Sequence, residues 1–146
     1  MILRSAEATE ACGRELAARV RCGDVIALFG DLGAGKTTFT RGLLSGLGFS
    51  GDVASPTFPI VQTYDELPVP VWHVDLYRIE DPAETLELGL EEARTDSALV
   101  IEWPERLGAS LWQDALILHL TVAGEGVRSL TAKVPPAWEG RWPPPT

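Results

Sequence analysis

Apolar residues recur at every fourth position near the start of the chain: Ala8, Cys12, Leu16 and Val20. That spacing predicts an amphipathic helix from Ser5 to about Val20. Gly23-Asp24 then supplies a turn. Residues 25–29 form a short unbroken apolar run, the pattern of a strand buried on both faces. A glycine-rich stretch follows, and from Thr37 to about Leu47 the helical period returns. Phe39, Leu43, Leu44 and Leu47 share one side of that helix, and Gly48 ends it.

Pro56 and Pro59 make residues 51–59 a loop. Residues 60–64 and 69–75 read as strands joined in a hairpin by Asp65-Glu66-Leu67-Pro68. Asp81-Pro82-Ala83-Glu84 has the form of a helix start, with Asp81 as cap, proline at the first helical position and Glu84 completing a capping box. Gly89 can stop this helix, and a second short one runs through Leu90 to Arg94. Residues 98–102 form another buried strand, ending in the acid Glu102. Leu116, Leu118, Leu120 and Val122 alternate along residues 114–123, and Gly124-Glu125-Gly126 turns that strand into residues 127–134, a terminal hairpin. The last twelve residues hold five of the eleven prolines together with Trp138 and Trp142. They are expected to form an extended tail whose tryptophans dock on the domain. The organisation predicted is one domain over 1–134 and a Pro/Trp-rich tail over 135–146.

The chain has 146 residues, with 12 Lys+Arg against 21 Asp+Glu, a net charge of −9. A length of this order suits one domain with a full core. The charge argues against direct binding of DNA or RNA by a basic face. It leaves room for a subunit whose partners hold the nucleic acid. No apolar run approaches the ~18–20 residues that span a bilayer, and acids stand too early for a secretory leader. A cytoplasmic protein with no membrane partner is the expectation. Cys12 and Cys22 lack metal-ligand spacing and are expected to be small buried or half-buried residues. Asparagine is absent, and lysine occurs only at positions 36 and 133. The scarcity of asparagine, glutamine, methionine and cysteine fits heat exposure or a GC-rich genome. One of the two lysines lies inside the glycine-rich stretch.

That stretch is Gly30-Asp31-Leu32-Gly33-Ala34-Gly35-Lys36-Thr37-Thr38, which matches G-x-x-x-x-G-K-[ST] at every fixed position. A strand precedes it and a helix follows, the context a phosphate-binding loop requires. Glycines let the backbone curl so that successive N–H groups face one phosphate chain, and the helix dipole points to the same place. Lys36 reaches the β/γ-phosphates, and the Thr37 hydroxyl is placed for Mg²⁺. A protein phosphate ligand of this kind needs an acidic metal partner at the end of a neighbouring strand. Asp75 and Glu102 both fit, and physics alone does not rank them. The fold predicted is α/β: a P-loop NTPase-like three-layer sandwich, its mixed sheet parallel at the centre with antiparallel edge hairpins.

Five segments in one order carry a more specific likeness: Gly30 to Phe39, Ser55-Pro56-Thr57-Phe58, His73-Val74-Asp75-Leu76-Tyr77-Arg78, Glu87-Leu88-Gly89-Leu90 and Glu102-Trp103-Pro104-Glu105. Across residues 30 to 105 the chain resembles the TsaE (YjeE) family, bacterial ATPases of the threonylcarbamoyl modification of tRNA adenosine 37. The resemblance implies ATP and Mg²⁺ as cofactors, with Thr37 and Glu102 as metal ligands. It implies a switch-like loop containing Thr57 and a role for Asp75 close to the nucleotide. It places Trp103 beside the site, residues 6–9 near the adenine and Arg128 near the nucleotide. Its implied partners are the TsaB–TsaD heterodimer and, through that complex, tRNA.

These expectations make Lys36, Asp75, Glu102 and Thr57 the catalytic set of a Mg²⁺-dependent ATPase. No arginine finger stands beside the loop. Arg78 is the candidate in cis, or else pairs with an acid of the helix after Asp81. Slow turnover that rises with bound partners follows, because such a cation is worth ~10³–10⁵ in rate. A small P-loop kinase and a nucleotide-gated binding module are the alternatives. His73 reads as a packed, hydrogen-bonded residue, His119 as solvated, and Glu80, Asp81, Glu84, Glu87, Glu91 and Glu92 as mostly a solvated face.

Overall fold

In the computed structural model, which describes residues 1–53 and 60–142, the strand and helix periods of the sequence become ten principal elements. They are β1 (Ile2–Leu3), α1 (Ala6–Leu16), β2 (Val25–Phe29), α2 (Lys36–Gly46), β3 (Val61–Tyr64), β4 (Val71–Asp75), α3 (Leu90–Asp96), β5 (Ala98–Glu102), β6 (Leu116–Gly124) and β7 (Val127–Lys133). One sheet holds the strands in the order β1-β7-β6-β2-β5-β4-β3. β6, β2, β5 and β4 are parallel neighbours. The hairpins β3–β4 and β6–β7 and the β1–β7 pair add antiparallel edges. The predicted architecture is the one observed, and β1, only two residues long, is an addition to it.

Alternation along the strands divides the core in two. Ile26, Leu28, Val100, Leu116 and Leu118 face α1 and α2, where they meet Leu16, Phe39 and Leu43. Val25, Val74, Leu99 and Ile101 face the other way, against Leu90 and Leu107. The same period of two puts His73 and Asp75 of β4, and Glu102 of β5, on the α1–α2 side. The register pairs Asp75 with Glu102 directly.

The N-terminal helix is shorter than its period suggests. Ser5 caps it, its hydroxyl accepting from the Ala8 amide at 3.0 Å. After Leu16 the chain tightens into a 3-10 turn at Ala17–Arg19. The segment Pro82–Leu88 is also 3-10 rather than α-helical. Asp81 caps it through the Ala83 amide at 3.0 Å, and Glu84 makes no return bond among the described residues. The acids from Glu80 to Glu92 named above are exposed, as expected. His119 is exposed too, stacked on Phe29 with ring centroids 4.6 Å apart.

Cys22 corrects an expectation: it is exposed, because it follows the last turn after α1 and leads into the Gly23-Asp24 bend. Cys12 is buried, and desolvation, reinforced by Glu15, pushes its thiol up to about 11.

The two helices of the first layer touch backbone to backbone. A Cβ at Gly42 would stand 1.8 Å from the Glu10 carbonyl oxygen, and one at Gly13 would stand 2.1 Å from that of Phe39. Gly42→Ala is therefore expected to force α1 and α2 apart. Overpacking against rigid backbone costs about 3 kcal/mol, and alanine returns about 1 kcal/mol of helix propensity. The net loss of about 2 kcal/mol corresponds to a Tm fall of roughly 4–8 °C. A Tm equal to or above that of the parent chain would contradict this packing.

The tail does not run free. Residues 136–138 make a single 3-10 turn that drives Trp138 into the core, where it is wholly buried. Arg141 stacks on its indole, 4.0 Å from the ring centroid. The same guanidinium grips Asp24 with two bonds, at 2.7 and 3.0 Å, and donates to the Arg19 and Ala137 carbonyls.

Candidate functional site: a phosphate loop facing two buried acids

The loop between β2 and α2 is shaped by positive φ at Gly30, Gly33 and Gly35. Two of these glycines are required sterically. At Gly30 a Cβ would lie 2.7 Å from the Leu120 carbonyl, so only glycine lets the chain leave β2 beside β6. Gly35 has φ 104° immediately before α2 and offers no side chain to cap the helix. The first-turn amides of α2 are thus left for a ligand, with the helix dipole behind them.

Lys36 opens α2 and folds back over the loop. Its ammonium donates to the Gly30 carbonyl at 2.6 Å and lies 3.9 Å from the centre of the Trp103 indole. Burial lowers its pKa from the ordinary 10.5, against the pull of Glu102, Asp75, Glu105 and Asp31. Trp103 reaches this position only by adopting φ 57°, the one positive φ outside glycine among the described residues. Such a backbone costs about 1–3 kcal/mol and is kept where neighbours demand it. Tyr77 packs against the same indole, centroids 5.0 Å apart.

The two candidate acids arrive at the C-terminal ends of β4 and β5, of which β5 lies beside β2 and β4 one strand further out. Both are buried. Asp75 accepts from the Tyr77 amide at 2.9 Å through Oδ1. Glu102 Oε2 lies 2.6 Å from Nε2 of His73. Arg128 comes from β7, on the opposite side of the loop. Its guanidinium donates to the Ala34 carbonyl at 3.0 Å and to the Gly33 carbonyl at 2.9 Å. Two loop carbonyls are thereby occupied by a cation.

One cavity of about 290 Å³ gathers these parts: Leu32, Gly33, Gly35, Lys36, Thr37, Thr38, Asp75, Tyr77, Glu102, Trp103 and Arg128 line it. Gly30, Asp31 and Ala34 form the outer wall of the loop and line a neighbouring hollow with Glu105 and His119. Thr9 approaches Gly35, its methyl 3.6 Å from where a Cβ would be, which brings the start of α1 to the rim. Thr57 lies outside the described residues. Arg78 is exposed, does not line the cavity and forms no ion pair among the described residues. From the sequence His73 reads as a packed, hydrogen-bonded residue that the family resemblance sets near the functional machinery; its bond to Glu102 is not apparent there. A sharper signal existed: His-x-Asp on one strand and an acid ending the next share one face.

A donor set of two buried carboxylates and a hydroxyl around a single ammonium suits a hard divalent cation together with phosphate. The sheet order, the loop at a strand-to-helix junction and the acid-tipped neighbouring strands define a P-loop NTPase-like α/β protein. The chain belongs to the TsaE family, whose model, "Threonylcarbamoyl adenosine biosynthesis protein TsaE", matches residues 3–130. It is 41% identical over 126 residues to the tRNA threonylcarbamoyladenosine biosynthesis protein TsaE of Bacillus subtilis, covering 86% of this chain and 78% of that one. It is 42% identical over 139 residues to the protein of the same name from Streptomyces coelicolor, covering 84% and 94%. The crystal structure of Bacillus subtilis YdiB superposes with a TM-score of 0.82 at 33% identity, over 97% of this chain and 88% of that one. Among the described residues, no helix is long and apolar enough to cross a membrane.

Proposed function

We propose that the chain is a Mg²⁺-dependent ATPase of the cytoplasm that serves threonylcarbamoyl modification of tRNA, acting with the TsaB–TsaD heterodimer. The observation that carries this reading is the single cavity in which Lys36 and Thr37 face Asp75 and Glu102. The amides from Gly33 to Thr37 would hold the phosphates. Lys36 would exchange its Gly30 carbonyl for a phosphate oxygen, a partner that favours its charged form. Thr37 and Glu102 would hold Mg²⁺, which when bound neutralises charge on the phosphate oxygens. Asp75 would orient the attacking water, with Thr57 as the second residue of that task. Trp103 and Tyr77 line the same cavity.

A cation for the charge that builds up during transfer is the missing part. Arg128 is the only arginine among the described residues lining the cavity, and its guanidinium is engaged by loop carbonyls. The names of the relatives supply a tRNA pathway, and a chain of charge −9 suits an RNA-modifying assembly only where others hold the RNA. ATP turnover would then drive a conformational cycle of the assembly rather than the transfer chemistry. Phosphate release by the chain alone is expected to be slow and to rise when TsaB, TsaD and tRNA are added. Equal rates with and without them would contradict the partnership while leaving the loop's role intact.

A further inference from the structure

We infer that His73 is a positioning residue that sets the orientation of the Glu102 carboxylate toward the metal, an inference that rests on the Mg²⁺ site proposed above. The two residues sit on neighbouring parallel strands, β4 and β5. His73 is level with Val100, and Glu102 is two residues further along on the same face. From there the imidazole reaches diagonally to Oε2 at 2.6 Å. His73 is fully buried and the Glu102 side chain is only 4% exposed, so water does not compete for this bond.

The chemistry of the pair assigns the proton. An ionised carboxylate only accepts, so Nε2 carries the hydrogen and donates it. Nδ1, at the other end of the ring, is buried with no partner. Packing alone does not call for an imidazole here: an apolar side chain of similar size would fill the slot without orphaning a nitrogen. The ring is explained by the bond made at Nε2. That bond restrains one carboxylate oxygen, and among the described residues Glu102 makes no other side-chain hydrogen bond. The remaining oxygen is left for the cavity that Glu102 lines with Thr37. Metal-bound carboxylates are commonly fixed by such outer partners, whose removal costs about 10–100-fold in metal affinity.

The test uses Mn²⁺ as the probe, titrated by electron paramagnetic resonance into the full chain saturated with a non-hydrolysable ATP analogue. For His73→Leu, Mn²⁺ affinity is expected to fall about 10–100-fold, while affinity for the analogue in EDTA stays at the parent value. His73→Gln, which retains an N–H donor, is expected to recover part of the loss. In a Glu102→Gln background, His73→Leu is expected to add nothing, because its effect passes through Glu102. If His73→Leu fails to fold, His73→Asn takes its place; its amide is too short for the diagonal reach and must show the same loss. Unchanged Mn²⁺ affinity in the folded variant, or full additivity with Glu102→Gln, would overturn the role of His73. A parent complex that binds Mn²⁺ no better than the free analogue would instead overturn the Mg²⁺ reading, and this inference with it.

Discussion

Lys36→Ala is expected to lower ATP turnover at least about a hundredfold, the scale on which single preorganised electrostatic contacts act. The ammonium sits at the head of α2, 2.6 Å from the Gly30 carbonyl, in the cavity proposed to take the phosphates. Lys36→Arg should rescue poorly. A planar fork needs more room than the slot between the loop and the Trp103 indole gives, and the site calls for a compact point charge. The effect on stability should run the other way. Burial lowers the Lys36 pKa in the folded chain. A base depressed in this way penalises folding at every pH below its folded value, and the penalty fades as pH climbs toward 10.5. Removing the charge therefore should not lower Tm near neutral pH. Phosphate-release assays and thermal melts on one preparation check both statements. A variant that loses activity and Tm together would show a folding role instead.

Trp138→Ala carries the largest expected cost in stability. The indole is wholly buried in the core cluster beneath α1 and α2. Truncating a buried tryptophan typically costs about 3–5 kcal/mol. Arg141 would also lose its stacking surface while its grip on Asp24 remained. Removing residues 135–146 altogether would strip both, leaving Asp24 buried without its cation, an arrangement more costly than never having had the pair. Denaturant unfolding of the point variant and of the truncated chain measures this. A midpoint unchanged by the truncation would contradict the packing of the tail.

Much of the molecule could be read before it was seen, for local reasons. β2 and β5 are unbroken apolar runs because both faces are covered, and the glycine-lysine spacing of the loop is dictated by backbone chemistry within eight residues. The acids Asp75 and Glu102 could be named because each ends such a run. What escaped depends on contacts far apart in sequence. Arg128 is placed near the nucleotide only by the family resemblance; its bonds to the loop carbonyls span more than ninety residues, and no local period encodes them. The bond from His73 to Glu102 exists only because β4 and β5 are parallel neighbours, an order the sequence does not spell out. β1 is two residues long, too short for any period. Docking of the tail tryptophans on the domain is expected from the sequence, but proline-rich composition does not show that Trp138 is wholly buried in the core. Cys22 looked like other small apolar residues, yet a turn position rather than hydrophobicity decides its exposure.

The cavity between the phosphate loop and the two acids is proposed as the seat of a metal–nucleotide complex. A crystal structure of the full chain with Mg²⁺ and a non-hydrolysable ATP analogue tests it most directly. The β- and γ-phosphates should lie against the amides of Gly33 to Thr37 with Lys36 turned from Gly30 to a phosphate oxygen. Mg²⁺ should be held at about 2.1 Å by Thr37 and Glu102, with His73 still bonded to Glu102 and Asp75 facing the space beyond the γ-phosphate. An ion held by Asp75 instead of Glu102, or an analogue bound outside this cavity, would contradict it.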